Sequence, residues 1–216
     1  MGPPRSWCAG PWPVQLRHVT TLTSERYVTE KAWRQARLDG CPRHPRGGCG
    51  IARHGTYARL EPPGMRVARW YCPEAHTSFS LLPDCLSSRL GGSLDEIERV
   101  VVASESLGVE AAAQVLRVDE IELPGALRWL RRRRRGVRAA VLALITAMPG
   151  RLGTVAEVRA MRSVLGTERA LVALREIGAD HLQALPPPLG LRPLCAGRAR
   201  GEAWLQHETG PDPPSP

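Results

Sequence analysis

Cysteine and histidine recur in two short stretches of the sequence with the spacing of metal ligands. The first stretch, CPRHPRGGCG, contains Cys41, His44 and Cys49, and the second, WYCPEAHTSF, contains Cys72 and His76. Zinc binds four thiolate or imidazole ligands in a tetrahedron, and one tight turn can supply two of them. The two stretches therefore indicate one metal site that is built from two turns.

Five candidate ligands compete for four positions in this site. Cys41 and His44 have the usual two-residue spacing, whereas Cys41 and Cys49 require an enlarged loop. Gly47 and Gly48 would give that loop its freedom, and the glycine after Cys49 suits a tight turn. Our interpretation favours Cys41, Cys49, Cys72 and His76 as the ligands, with His44 as the alternate.

The predicted role of the zinc is structural. A catalytic zinc keeps one coordination position open and has a general base beside it, and Glu74 is the only carboxylate near these turns. The paired H-x-E and P-C-x-x-C signature of zinc deaminases is missing. The sequence also contains no recognisable Ser/His/Asp set and no phosphate-binding loop, so we expect no enzymatic activity.

The segment between the two turns must position the ligands. GTYARLEPPGMRVARWY has the features of two strands that are joined at residues 62–64, where two prolines precede a glycine. Two ligand-bearing turns that flank a hairpin form the outline of a zinc ribbon, and we assign it to residues 41–90. Arg59, Arg66 and Arg69 on this hairpin are predicted to contact nucleic acid.

The basic charge of the chain is carried almost entirely by arginine. The net charge is +9, the isoelectric point is about 10.1, and Lys31 is the only lysine among the 30 basic residues. In PGALRWLRRRRRGVRAAVLAL, residues 124–144, leucine and valine recur on one side of a helical wheel. The exposed side of that wheel gathers arginines that are predicted to bind nucleic acid, namely Arg128, Arg131, Arg132, Arg135 and Arg138.

This arginine-bearing helix is predicted to be the third of three helices. Ser93 and Glu96 form a capping box at the start of the first, VEAAAQVL follows Gly108, and Pro124 suits the first turn of the third. We expect a kink or break at Gly136. Three such helices have the plan of a helix-turn-helix that spans residues 93–148, with arginine contacting guanine edges or phosphate.

The remaining segments complete an α+β, mostly helical architecture. Residues 1–40 are predicted to be an N-terminal extension with one short helix over 29–40, starting at Thr29. Residues 151–190 are predicted to form a helical pair, with Thr154 capping the first helix and Thr167 capping a second that runs to Ala184. Residues 191–216 are predicted to be a disordered tail, and Cys8, Cys85 and Cys195 to be isolated thiols.

Several of these motifs are shared with a family of bacterial mobile-element proteins. CPRHPRGGCGIARHGTYAR and RVARWYCPEAHTSFSLLPDCL resemble the N-terminal segment of transposase-associated zinc-ribbon or helix-turn-helix proteins, which are encoded beside an integrase-type transposase. The similarity continues through ELPGALRWLRRRRR, ALPPPLG and QHETGPDPP. The resemblance implies DNA binding in a transposition setting, with the transposase as a candidate partner. Histidine replaces a cysteine of the commoner four-cysteine ribbons.

The leading hypothesis is a zinc-containing, double-stranded-DNA-binding protein that serves a transposable element as an accessory or regulator. One alternative is an RNA-binding zinc-ribbon protein. Another is a helical assembly partner of a transposase, whose arginines only form a solvated surface. The N-terminus lacks the pattern of a signal peptide and no segment has the length of a membrane span, so we expect a cytoplasmic, nucleoid-associated protein.

Overall fold

A computed structural model describes residues 13–116 and 123–193 of the chain. Within these ranges it contains one four-stranded sheet and six α-helices, so the expected α+β fold is confirmed. The N-terminal cysteine Cys8, the thiol Cys195 and the predicted tail beyond residue 193 lie outside the described residues. The predicted start of the tail at residue 191 is wrong, because Leu191 is buried and its N–H donates to the Leu182 carbonyl. None of the helices in the described part of the chain is long and apolar enough to cross a membrane.

The sheet is larger than the predicted hairpin. Its strands, in the spatial order β1-β4-β3-β2, are β1 (Val14–His18), β2 (Ala52–Ala58), β3 (Arg66–Cys72) and β4 (Thr77–Pro83). β2 and β3 form the predicted antiparallel hairpin around residues 62–64, and β4 adds to β3 in antiparallel register. β1 pairs with β4 in parallel. The N-terminal extension therefore contributes an edge strand.

The short N-terminal helix begins earlier than predicted. Helix α1 covers Ser24–Thr29, and the hydroxyl of Thr23 accepts a hydrogen bond from the backbone N–H of Arg26 at its start. The predicted helix over 29–40 is wrong, because Lys31 adopts a left-handed conformation with φ of 50° and ends the helical run. A single 3-10 turn follows at Ala32–Arg34.

The three central helices follow the predicted order. They are α2 (Leu94–Leu107), α3 (Val109–Leu116) and α4 (Leu123–Ala147). The Ser93 hydroxyl accepts from the N–H of Glu96, as predicted, and Gly108 alone joins α2 to α3. A break at Gly136 is absent, because α4 runs through this residue without interruption. A Cβ there would lie 3.2 Å from the Pro187 carbonyl oxygen, so glycine permits close packing at this position.

The C-terminal helical pair is shorter than predicted. Helix α5 covers Val158–Leu165 and α6 covers Ala170–Ile177, and a 3-10 turn follows at Ala179–His181. Thr154 does not cap α5. Instead, the Glu105 carboxylate of α2 accepts hydrogen bonds from the first N–H groups of α5, and buried Glu98 accepts from the first N–H groups of α6. Carboxylates at helix N-termini are favourable because the helix dipole is positive there.

One buried arginine joins the sheet to the helices. Arg175 of α6 is fully buried, and its guanidinium donates hydrogen bonds to five backbone carbonyls, those of Pro83, Asp84, Leu86, Pro188 and Leu189. Burial lowers the pKa of Arg175 to about 10, so the side chain remains charged at neutral pH. The buried apolar residues of the sheet and of the helices form one continuous core around this contact.

Candidate metal centre and basic surface

Four predicted ligand residues converge at the end of the β2–β3 hairpin. The side chains of Cys41, His44, Cys49 and Cys72 place one ligand atom each within 4.8 Å of all the others, and we call this group the Cys3His cluster. The three cysteines are buried and His44 is half-buried. Because each ligand atom faces the other three, the cluster can hold a metal ion.

The distances within the cluster fit a tetrahedral metal site. The Nδ1 atom of His44 lies 3.5 Å from the Sγ atom of Cys41 and 3.4 Å from that of Cys72. With bonds of about 2.3 Å to sulfur and 2.0 Å to nitrogen, the nitrogen–sulfur edge of a zinc tetrahedron is about 3.5 Å. The histidine therefore faces the cluster through Nδ1.

The local backbone explains how the first turn delivers two ligands. The N–H of His44 donates to the carbonyl of Cys41 at 3.0 Å, which closes a tight turn and places both side chains on one side. Gly47 and Gly48 then adopt positive φ values of 80° and 82°. These glycines give the loop the freedom that the sequence predicted, and the loop returns Cys49 to the cluster.

The second turn supplies only one ligand. The Sγ atom of Cys72 accepts a hydrogen bond from the N–H of Ala75 at 3.4 Å. Ala75 follows Cys72 by three residues, as His44 follows Cys41, but alanine has no ligand atom. The fourth member of the cluster is therefore Cys49, from the loop.

His76 lies outside the cluster, so the structure differs here from the favoured ligand set. Its backbone has a left-handed φ of 45°, and its Nδ1 atom lies 3.2 Å from the Tyr71 hydroxyl oxygen. The side chain is exposed. The alternate ligand His44 takes its place. The C-x2-H spacing of Cys41 and His44 indicated His44 as a ligand. The prediction instead placed two ligands on each side of the hairpin and so favoured His76.

One thiol of the cluster has a lowered pKa. Burial raises the pKa of Cys41, but hydrogen bonds from the His44 side chain and from the N–H groups of Arg43 and His44 outweigh that effect and lower it to about 7. The pKa of Cys72 is raised, chiefly by burial. A bound cation would deprotonate the remaining thiols, because thiolate is the form that binds metal.

The arginines of the hairpin are mostly engaged within the protein. Arg59 is half-buried and donates to the carbonyls of Ser87 and Leu90 at 3.2 and 2.7 Å. The guanidinium of Arg69 lies 5.0 Å above the ring of Tyr57. Arg66 is exposed and donates to Thr56 at 2.8 Å. Of the three predicted contacts, only Arg66 presents an exposed side chain.

The predicted arginine face of α4 is exposed along its full length. Arg128, Arg131, Arg132, Arg135 and Arg138 are all exposed, while Leu130, Val137, Val141 and Leu144 are buried on the opposite side. Arg133 belongs to the buried side, with its guanidinium 3.9 Å above the ring of Trp129 and its Nη2 atom donating to the Gly91 carbonyl. The run of five arginines therefore divides between two faces.

An arginine-lined groove lies between α3 and α4. It has a volume of about 380 Å³ and is lined by Val109, Arg131, Arg134, Arg135 and Arg138. Arg134 was not among the predicted contacts. The Glu110 carboxylate accepts a hydrogen bond from Arg131 at 2.9 Å beside this groove. Hydrogen bonding to its own backbone N–H and then to Arg131 lowers the pKa of Glu110.

Comparison with protein-family models, with curated proteins and with solved structures gives no match for this chain.

Proposed function

We propose that this protein is a non-catalytic, double-stranded-DNA-binding protein whose sheet is stabilised by a structural zinc ion. The observation that carries the proposal is the exposed arginine face of α4, the last of three consecutive helices. Exposed guanidiniums on one helix face can pair with phosphate oxygens or with the O6 and N7 atoms of guanine. These arginines lie on one side of α4 and the buried leucines on the other. An arginine-rich composition alone would place arginine on both sides.

The packing of the three helices supports a helix-turn-helix mode of binding. α2 and α3 both contact α4. Among the described residues the arginine side of α4 is exposed, except where Glu110 of α3 pairs with Arg131, and a recognition helix requires such an exposed side.

Zinc is the metal that the Cys3His cluster favours. Three thiolates and one imidazole match the ligand preference of zinc, and four protein ligands leave no coordination position for a catalytic water. The cation would fix the loop of residues 41–49 against the end of β3. We assign it a structural role on this basis.

The biological setting that we propose is transposition. The support for it is the resemblance of the ribbon motifs and of the arginine run to transposase-associated proteins. In this setting the protein recognises DNA for an integrase-type transposase and regulates or assists it.

A binding experiment with matched variants tests the DNA proposal. We expect purified protein to shift a mixed-sequence DNA duplex at low salt and to prefer it over an RNA duplex of the same sequence. Replacing Arg131, Arg132 and Arg135 with glutamine should weaken binding more than about 100-fold at 0.1 M salt, because each lost phosphate contact costs about one released counterion. Replacing Arg99, Arg151 and Arg159, which are exposed elsewhere, removes the same charge and should have less than a tenth of that effect.

Two outcomes would overturn the proposal. One is wild-type protein that has no duplex affinity at low salt, and the other is an equal loss of binding in the two triple variants. Preference for RNA in direct competition would replace DNA with RNA as the ligand. Elemental analysis tests the metal separately, and purified protein should contain about one zinc per chain if one tetrahedral site is filled.

A further inference from the structure

The groove between α3 and α4 has the chemistry of a phosphate site. Arg131, Arg134, Arg135 and Arg138 lie at successive intervals of three, one and three residues, which places them along one stripe of the helix. Among the described residues, four arginines line this groove and the carboxylate of Glu110 lies beside it. The positive charge of these arginines favours an anionic ligand, and most of all one that carries several negative charges.

The concave shape of the groove favours phosphate over a base edge. A side chain that reads a base must project from a ridge into the major groove of DNA. These arginines instead line a shallow recess whose other wall includes Val109 of α3. A compact anion can enter such a recess, and planar guanidinium groups match its oxygens in bidentate geometry.

The length of the stripe matches a nucleic-acid strand rather than a single anion. Seven residues of helix separate Arg131 from Arg138, a rise of about 10 Å. Successive phosphates of one DNA strand are separated by about 3.4 Å along the duplex axis. The stripe can therefore contact two or three consecutive phosphates.

From this geometry, and resting on the proposed DNA-binding function, we infer that the α3–α4 groove clamps the phosphodiester backbone of one DNA strand. Arg134 is part of this clamp. Glu110 is an internal competitor, because its carboxylate holds Arg131 as a phosphate oxygen would. The clamp supplies affinity that is independent of base sequence, and the neighbouring Arg128 and Arg132 lie outside the groove lining.

The salt dependence of duplex binding distinguishes this clamp from a uniform basic face. The plot of the logarithm of the binding constant against that of salt concentration, from about 50 to 200 mM, should lose about 2 units of slope in Arg134→Gln/Arg138→Gln protein. Arg128→Gln/Arg132→Gln protein should lose less than half of that slope. Arg151→Gln/Arg159→Gln protein serves as the charge-matched control, and circular dichroism verifies the fold of each variant.

Glu110 provides an independent test in the opposite direction. Glu110→Gln should raise duplex affinity about five-fold at 0.1 M salt, since one competing charge is removed. Asp180→Asn, which removes an exposed acid outside the groove, should change it less than two-fold. Equal slopes in the two arginine pairs, or no gain from Glu110→Gln, would overturn the clamp while leaving DNA binding intact. Wild-type protein without duplex affinity would overturn the proposed function itself.

Discussion

Replacement of buried Arg175 should destabilise the whole fold. In Arg175→Met protein, an apolar side chain of similar length enters the core and five backbone carbonyls lose a donor. Two of these carbonyls, at Pro83 and Pro188, keep a backbone partner, because they also accept from the N–H groups of Leu86 and Ser88. The other three belong to Asp84, Leu86 and Leu189, and the guanidinium is the donor that the structure assigns to them.

The size of the effect follows from those three carbonyls. Each buried acceptor without a donor costs about 1–3 kcal/mol, and relief from burying a charge offsets part of the total. We expect the free energy of unfolding to fall by about 3–5 kcal/mol. Apolar replacement of buried ion pairs is often tolerated, but there both partners are removed, whereas backbone carbonyls remain after any mutation of Arg175.

Urea unfolding, followed by circular dichroism with zinc in the buffer, measures this loss. For a chain of this length, a loss of that size lowers the midpoint of thermal unfolding by about 6–20 °C. Arg175→Lys should fall between wild type and Arg175→Met, because an ammonium group keeps the charge but has three donors. Exposed Arg151→Met is the control and should stay within about 0.5 kcal/mol of wild type. If Arg175→Met unfolds at the same urea concentration as Arg151→Met, the reasoning is refuted.

Two further predictions concern the helix caps and the metal ligands. Glu98→Gln should lower the free energy of unfolding by about 3 kcal/mol. Glu105→Gln, at a less buried residue, should lower it by about 1 kcal/mol, because loss of charge costs more stability at a buried acceptor. Equal losses in urea unfolding would contradict this. Cys49→Ala should lower zinc affinity at least about 100-fold, because one of four ligands is lost. A second change, Ala75→Cys, should restore part of it in a competition titration with a chromophoric chelator, since residue 75 occupies in the second turn the position that His44 occupies in the first. Failure of any recovery would show that Ala75 does not face the metal.

Local sequence patterns predicted the elements that depend on local interactions. The start of α3 and the position of the β2–β3 hairpin follow directly from Gly108 and from the prolines at 62 and 63. The apolar side of α4 was visible as helical periodicity. In each case the controlling residues lie within a few positions of the element, so the sequence alone contains the information.

Contacts between distant segments could not be predicted in the same way. Strand β1 pairs with β4 across more than sixty residues of chain, and the apolar-polar alternation in its sequence, VQLRH, covers only four residues. The first N–H groups of α6 donate to Glu98, which lies on α2 and is distant from α6 in the sequence. The predicted local cap, Thr167, was therefore misplaced. Arg133 was left out of the predicted arginine face, but its contacts with the ring of Trp129 and the Gly91 carbonyl in the core could not be predicted.

The candidate metal site shows both kinds of information together. Three of its four members, Cys41, Cys49 and Cys72, were identified from spacing and glycine content. The prediction weighed His44 against Cys49, whereas the structure includes both and leaves out His76, because of the direction in which each turn presents its side chains. That direction is set by the left-handed backbone of His76 and by the turn hydrogen bond at His44, which spacing does not encode.

The first strand of the sheet has an unusual neighbour from the far end of the described chain. Gln15 exchanges hydrogen bonds with Arg192, through its backbone N–H and its side-chain oxygen. During synthesis on the ribosome, β1 can therefore form all of these hydrogen bonds only after almost two hundred residues have been added. A nascent chain that stalls earlier exposes an unpaired sheet edge. Such an edge promotes aggregation and is a surface to which chaperones bind.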